Sequence, residues 1–121
     1  MTRAKCAGVP TAAGPRVKAM RTSAIAHDGE VVEFFRAEYR LNGQVSAYSK
    51  PYIALMDGIT MGGGVGVSAH GSVRIVTERT AFAMPEVTIG IAPDVGATWL
   101  LSHAPGELGT YAGLTGSTLT A

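Results

Sequence analysis

Strands alternating with helices predict an α/β fold for this 121-residue chain. Three observations carry that prediction. A helical stripe runs through "VVEFFRAEYRLNGQVS". Short apolar runs bounded by turn residues follow it at "YIALMDG" and "SVRIV". Three consecutive glycines separate the first of these runs from a second helical stretch. The length allows one domain with a modest core and is too short for two, so residues 1–121 are read as a single domain.

Residues 1–27 hold Arg3, Lys5, Arg16, Lys18 and Arg21, no acid, and two prolines, Pro10 and Pro15, among small residues. That composition fits a poorly ordered start or an organelle transit peptide, and the prolines argue against a long amphipathic helix here. From about residue 30 to 46 the apolar residues Val31, Phe34, Phe35, Leu41 and Val45 fall at helical spacing, with Asp28 or Gly29 as the cap. Glu38 lies inside that stripe, either as a carboxylate on the buried face or as a rim charge paired with Arg36, Arg40 or Lys50. A strand over 52–56 closes on the turn pair Asp57-Gly58, and 65–70 reads as helical. A strand over 73–77, a polar turn at Glu78-Arg79 and a second short strand ending at Pro85 come next, with Arg74, Glu78 and Arg79 as solvated turn charges. Val87, Ile89 and Ile91 then alternate with Thr88 and Gly90 until Pro93, which is the period of a strand. Two short helices are predicted over 97–101 and 107–114, separated by Pro105-Gly106.

Composition narrows the function classes. Charged residues make up 16% of the chain against roughly 25% in ordinary soluble domains, while 46% is hydrophobic and 16 residues are glycine. Such a chain is short of solvated surface, which points to self-association or to a piece of something larger. The net charge of +1 and the lack of aromatic-interleaved basic clusters argue against nucleic acid as a partner. No apolar run reaches the roughly 18 residues of a membrane helix, so no membrane partner is expected. The single cysteine, Cys6, makes neither an internal disulfide nor a metal cluster, and His27, His70 and His103 have no metal-ligand spacing. No metal is expected, and the histidines receive no role.

The chemistry-bearing features are the glycine loop and two acids. Backbone N–H groups in "GGGVGVS" can approach and hold an oxyanion, and the alternative is close packing of helix on strand. The loop lacks the Lys-Ser/Thr pair of a nucleotide-binding P-loop and the acid of a dinucleotide fingerprint. Ser68 in "GVSAH" is no hydrolase elbow and is read as a helix residue. Glu86 and Asp94 stand in the otherwise interior-like "AFAMPEVTIGIAPDVGATWLL", where an unpartnered carboxylate is costly. On the residues alone, close packing is favoured for the loop and rim charges beside Pro85 and Pro93 for the acids.

The blocks "FFRAEYRLN", "ITMGGGVGVS", "MPE" and "IAPDVG", in this order and spacing, resemble the crotonase superfamily of acyl-CoA enzymes. Within it the likeness is to the branch that hydrolyses 3-hydroxyisobutyryl-CoA, and it runs from about residue 17 to the C-terminus. The resemblance implies a partial crotonase-type fold of repeated ββα units around a glycine-rich oxyanion loop. It implies that the amide of Gly63 holds the thioester oxygen, that Glu86 attacks the carbonyl or activates water, and that Asp94 is the second acid. Glu38 matches a substrate-contacting residue, so Glu38, Gly63, Glu86 and Asp94 form the implied substrate site. The implied partner is an acyl-CoA; no cofactor is implied, because coenzyme A is part of the substrate.

Departures refine this. Hydratases of the superfamily carry a second glutamate where Gly66 stands, and a small residue where Asp94 stands, so hydrolysis of a β-hydroxyacyl-CoA, as in valine breakdown, is favoured over water addition. The other oxyanion donor of the family has only Ala7 in "KCAGVP" as a counterpart, with Val9 and Pro10 in place of the usual glycine and aspartate. "LSHAP" also departs from the usual "LPRLP". A whole hydrolase of this kind is roughly three times as long, so a noncatalytic remnant or interaction module is the rival reading, with hydratase or isomerase activity third. Homo-oligomerisation accompanies the family. The expected compartment is the cytoplasm, and the basic start leaves the mitochondrial matrix as the alternative.

Overall fold

The computed structural model describes residues 13–121. Cys6 and Ala7, and with Ala7 the expected second oxyanion donor, lie outside the described residues. Helix α1 spans Ala13–Ala26, with Pro15 in its first turn. A proline there removes an N–H that would have had no intrahelical acceptor, so a helix forms despite Pro15, though one without the amphipathic face the prolines argued against.

Helix α2 spans Glu30–Ser46, as predicted. Gly29 caps it in the left-handed region at φ 83, Asp28 Oδ1 accepts the Glu30 N–H at 3.0 Å, and Glu30 and Glu33 sit in the first turn, where acids suit the helix dipole. Its inward stripe is Val31, Phe34, Phe35, Glu38, Asn42 and Val45. Leu41, placed in that stripe by the sequence, is exposed, and Asn42 takes its position. The reason is the helical period: 38, 42 and 45 continue one face, whereas 41 turns outward.

Strand β1 (Ile53–Met56) pairs in parallel with β3 (Val73–Val76). Strand β2 (Ile59–Met61) pairs in parallel with β4 (Ala81–Ala83), and β4 pairs antiparallel with β5 (Leu119–Thr120). The two sheets are joined at the turns: Thr80 Oγ1 donates to the Met56 carbonyl at 2.5 Å, and the Ala81 N–H donates to Gly58 at 3.0 Å. Arg79 is not simply solvated, since its guanidinium pairs with Asp57 at this corner. Arg74 donates to the Ala69 carbonyl at 2.8 Å.

Helix α3 (Gly63–Ser68) follows β2 directly. The alternating segment after Pro85 is a 3-10 helix, Pro85–Ile89, rather than a strand. Proline at its first position fixes φ for a helical turn, and Gly90 at φ 80 ends it. Helices α4 (Ala97–Ser102) and α5 (Leu108–Thr115) pack on each other, and α5 packs on the 3-10 helix. The core consists of Val65, Ala69, Met84, Val95 and Ala97, flanked by Phe82, Leu100 and Leu101. Glu86 and Asp94 are therefore each within two residues of a fully packed position.

Candidate functional site

The glycine turn exists because its backbone does what other residues resist. Gly62 has φ 53 and ψ −124, a conformation open essentially to glycine, and this bend swings the chain from β2 into α3. Gly63 is consequently the first residue of α3, where an N–H has no acceptor inside the helix. A Cβ built on Gly62 would lie 3.2 Å from Glu86 Oε1, and one on Gly63 would lie 2.6 Å from Glu38 Oε1. Two carboxylates thus converge on consecutive glycines, one from α2 and one from the 3-10 helix.

Glu86 is 7% exposed, and its Oε2 has no hydrogen-bond partner. Burial pushes its carboxyl above the usual carboxylate range, and the charge of Asp94 adds to the shift. Asp94 reaches the same region through Tyr39, whose hydroxyl donates to Asp94 Oδ2 at 2.9 Å. Desolvation, together with the Asp94 bond and the Glu38 charge, raises the Tyr39 phenol to about 12, so it remains a donor across the physiological range. Glu38, Gly63, Glu86 and Asp94, separated by as many as 56 positions, are brought to one place.

Sequence reasoning missed three contributors. Tyr39 is one, concealed as a surface residue beside Glu38. Asn42 is another: it is 6% exposed, neither its Oδ1 nor its Nδ2 has a partner, and it lies against Gly66. A Cβ at Gly66 would stand 2.7 Å from Asn42 Oδ1 and 2.9 Å from Val95 Cβ, so position 66 has no room for a side chain. His70 is the third, with its Nε2 2.5 Å from the Val95 carbonyl oxygen. The period of α2 could have exposed Asn42, since it continues the face of Glu38; nothing in the sequence linked His70 to Val95. His103 stacks on Trp99, with ring centroids 4.4 Å apart, and its Nδ1 lies 2.7 Å from the Trp99 carbonyl oxygen. Among the described residues no three His, Cys, Asp or Glu side chains are grouped to hold a metal, and no helix is long and apolar enough to cross a membrane.

A buried acid, Glu86, thus stands against the glycine turn that opens α3. The model of the enoyl-CoA hydratase/isomerase family matches residues 3–121. The chain belongs to that family. It is 52% identical over 104 residues to mitochondrial 3-hydroxyisobutyryl-CoA hydrolase of Xenopus tropicalis, covering 86% of this chain and 27% of that protein. It is 57% identical over 88 residues to small ribosomal subunit protein mS47 of Neurospora crassa, covering 73% of this chain and 17% of that protein. Among solved structures, a carnitinyl-CoA dehydratase from Mycobacterium thermoresistibile superposes with a TM-score of 0.83 at 57% identity, covering 86% of this chain and 31% of the other. The crotonase-type fold expected from the sequence is thereby shown. The chain spans about a quarter of the length of the hydrolases it matches.

Proposed function

We propose that this enoyl-CoA hydratase/isomerase chain carries the acid and glycine half of an acyl-CoA thioester hydrolase site, with 3-hydroxyisobutyryl-CoA as the substrate. The observation that carries this reading is Glu86: a buried carboxylate with an unpartnered oxygen, its proton affinity raised, set against the Gly62-Gly63 turn. The thioester oxygen would sit at the start of α3, where the Gly63 N–H stabilises the negative charge that develops as the carbonyl is attacked. Ionised Glu86 attacks the carbonyl carbon or removes a proton from the attacking water. The tetrahedral adduct then collapses with cleavage of the C–S bond, and the leaving thiolate takes up a proton; on the route through direct attack, water then cleaves the acyl anhydride on Glu86, releasing the free acid and restoring the carboxylate. A base whose pKa is raised toward the working pH is better matched to this task than an ordinary surface carboxylate. Asp94, oriented by Tyr39, keeps negative charge near Glu86 and manages the proton. The reading requires no group beyond the coenzyme A of the substrate.

Free-thiol detection with 3-hydroxyisobutyryl-CoA tests this. The wild-type chain should release coenzyme A and Glu86→Gln should not; turnover that survives this substitution would remove Glu86 from the reaction. Water addition or elimination, raised by the dehydratase relative, needs a second carboxylate at position 66 on the family pattern, and the packing of Asn42 and Val95 on Gly66 counts against it. The ribosomal relative supports one further reading, a noncatalytic interaction module. A cooperative melt with neither thiol release nor acyl-CoA binding would favour that module. The names of the hydrolase relatives place those proteins in mitochondria, which favours the matrix over the cytoplasm for this chain.

A further inference from the structure

His70 takes no part in the proposed chemistry, yet it lies against the segment that carries Asp94. Its Nε2 is 2.5 Å from the Val95 carbonyl oxygen, and because a carbonyl oxygen only accepts, the ring nitrogen donates. The imidazole also covers Gly96: a Cβ there would stand 2.6 Å from Cε1 and 2.7 Å from Nε2. Between these contacts Val95 has φ 47, in the left-handed region that a β-branched residue resists. Such a conformation persists only when its surroundings over-determine it. Here the surroundings are identifiable, because the Val95 side chain is buried in the core and its carbonyl is tied to His70. Asp94 is the adjacent residue, and its carboxylate meets Tyr39 of α2.

We propose that His70 is a positioning residue for Asp94: its Nε2–H holds the Val95 carbonyl, keeps the 94–96 turn wound, and so presents the Asp94 carboxylate to Tyr39 beside Glu86. The tie itself stands on geometry alone; its consequence for turnover rests on the thioester reading.

The test uses the full chain carrying tyrosine labelled with carbon-13 at the ring carbon bonded to the hydroxyl. The Tyr39 resonance is assigned with Tyr39→Phe, and Asp94→Asn marks where it moves when the carboxylate is lost. His70→Phe keeps a ring against Gly96 without a donor, whereas His70→Gln keeps a side-chain N–H. The Tyr39 resonance in His70→Phe should move toward its Asp94→Asn position, and in His70→Gln it should stay near wild type. A wild-type resonance in His70→Phe overturns the proposal, and so does an equal displacement in both variants, because ring shape rather than the donor would then matter. If His70→Phe does not melt cooperatively, His70→Leu replaces it with the same two outcomes. Thiol release gives the second readout: kcat should fall on the order of 10- to 100-fold in the donor-less variant, with KM unchanged and His70→Gln restoring it. A wild-type chain without thiol release ends the thioester reading, while the tyrosine comparison still decides the role of His70.

Discussion

Glu86 is a carboxylate whose folded environment prefers it neutral, and the sign of its contribution follows. With the folded pKa above the unfolded one, its stabilising contribution is complete below the ordinary carboxyl value and is lost as pH rises through the raised value. Glu86→Gln should therefore raise the melting temperature near neutral pH, with the gain vanishing as pH falls well below about 4, where both forms of position 86 are uncharged. Paired thermal melts at the two pH values check this; an advantage that is unchanged at low pH would contradict it. Asp94 contributes to the same shift, so Asp94→Asn should move the acidic limb of the kcat/KM profile to lower pH, even as it reduces the rate. Asn42 is the other costly residue. A buried amide without partners costs about 1 to 3 kcal/mol, so Asn42→Leu should stabilise the chain by about 1 kcal/mol, read as a higher urea midpoint at constant slope.

The elements show why these residues meet. Helix α2 supplies Glu38, Tyr39 and Asn42 from a little over one turn, so a single rigid element contacts the Gly63 start of α3, the Asp94 carboxylate and the Gly66 backbone. The α2 to α3 approach depends on the missing side chain at position 66. Gly66→Ala should cost about 1 to 3 kcal/mol through overpacking, measurable by urea unfolding, and the double substitution with Asn42→Ala should recover part of that loss. Helix periodicity made α2, α4 and α5 legible in the sequence. The segment after Pro85 was misread because Val87, Ile89 and Ile91 alternate as a strand would, whereas Pro85 and Gly90 fix the backbone of a short 3-10 helix. Three-residue β2 and two-residue β5 carry too few side chains to show any period; equally short β4 was legible only because a polar turn precedes it and Pro85 follows it.

Over the whole molecule, the low charge of the sequence becomes a specific surface. In the β1–β3 ladder, Ile53 and Leu55 pair with Val73 and Ile75 on one face, and Leu55, Val73 and Ile75 are exposed. An apolar sheet face in water favours association and dye binding. The chain should bind the hydrophobic dye ANS and sediment with concentration-dependent mass, and Ile75→Lys should reduce both; unchanged behaviour would show that this face is not responsible. The other face of β1 buries Ala54 and Met56, and the central core cluster lies among α3, β4 and the 94–97 turn, next to the candidate site.

The order and spacing of four short blocks were enough to identify the family and to select Glu38, Gly63, Glu86 and Asp94, because spacing along the chain is a property of sequence. The relation among those residues was not. Only tertiary packing buries Glu86 enough to raise its proton affinity, brings the Tyr39 hydroxyl to Asp94 across 55 positions, and sets Asn42 where a side chain at position 66 would go. Each of these depends on desolvation or on contact between distant segments, and both are created by the fold rather than encoded in any local pattern.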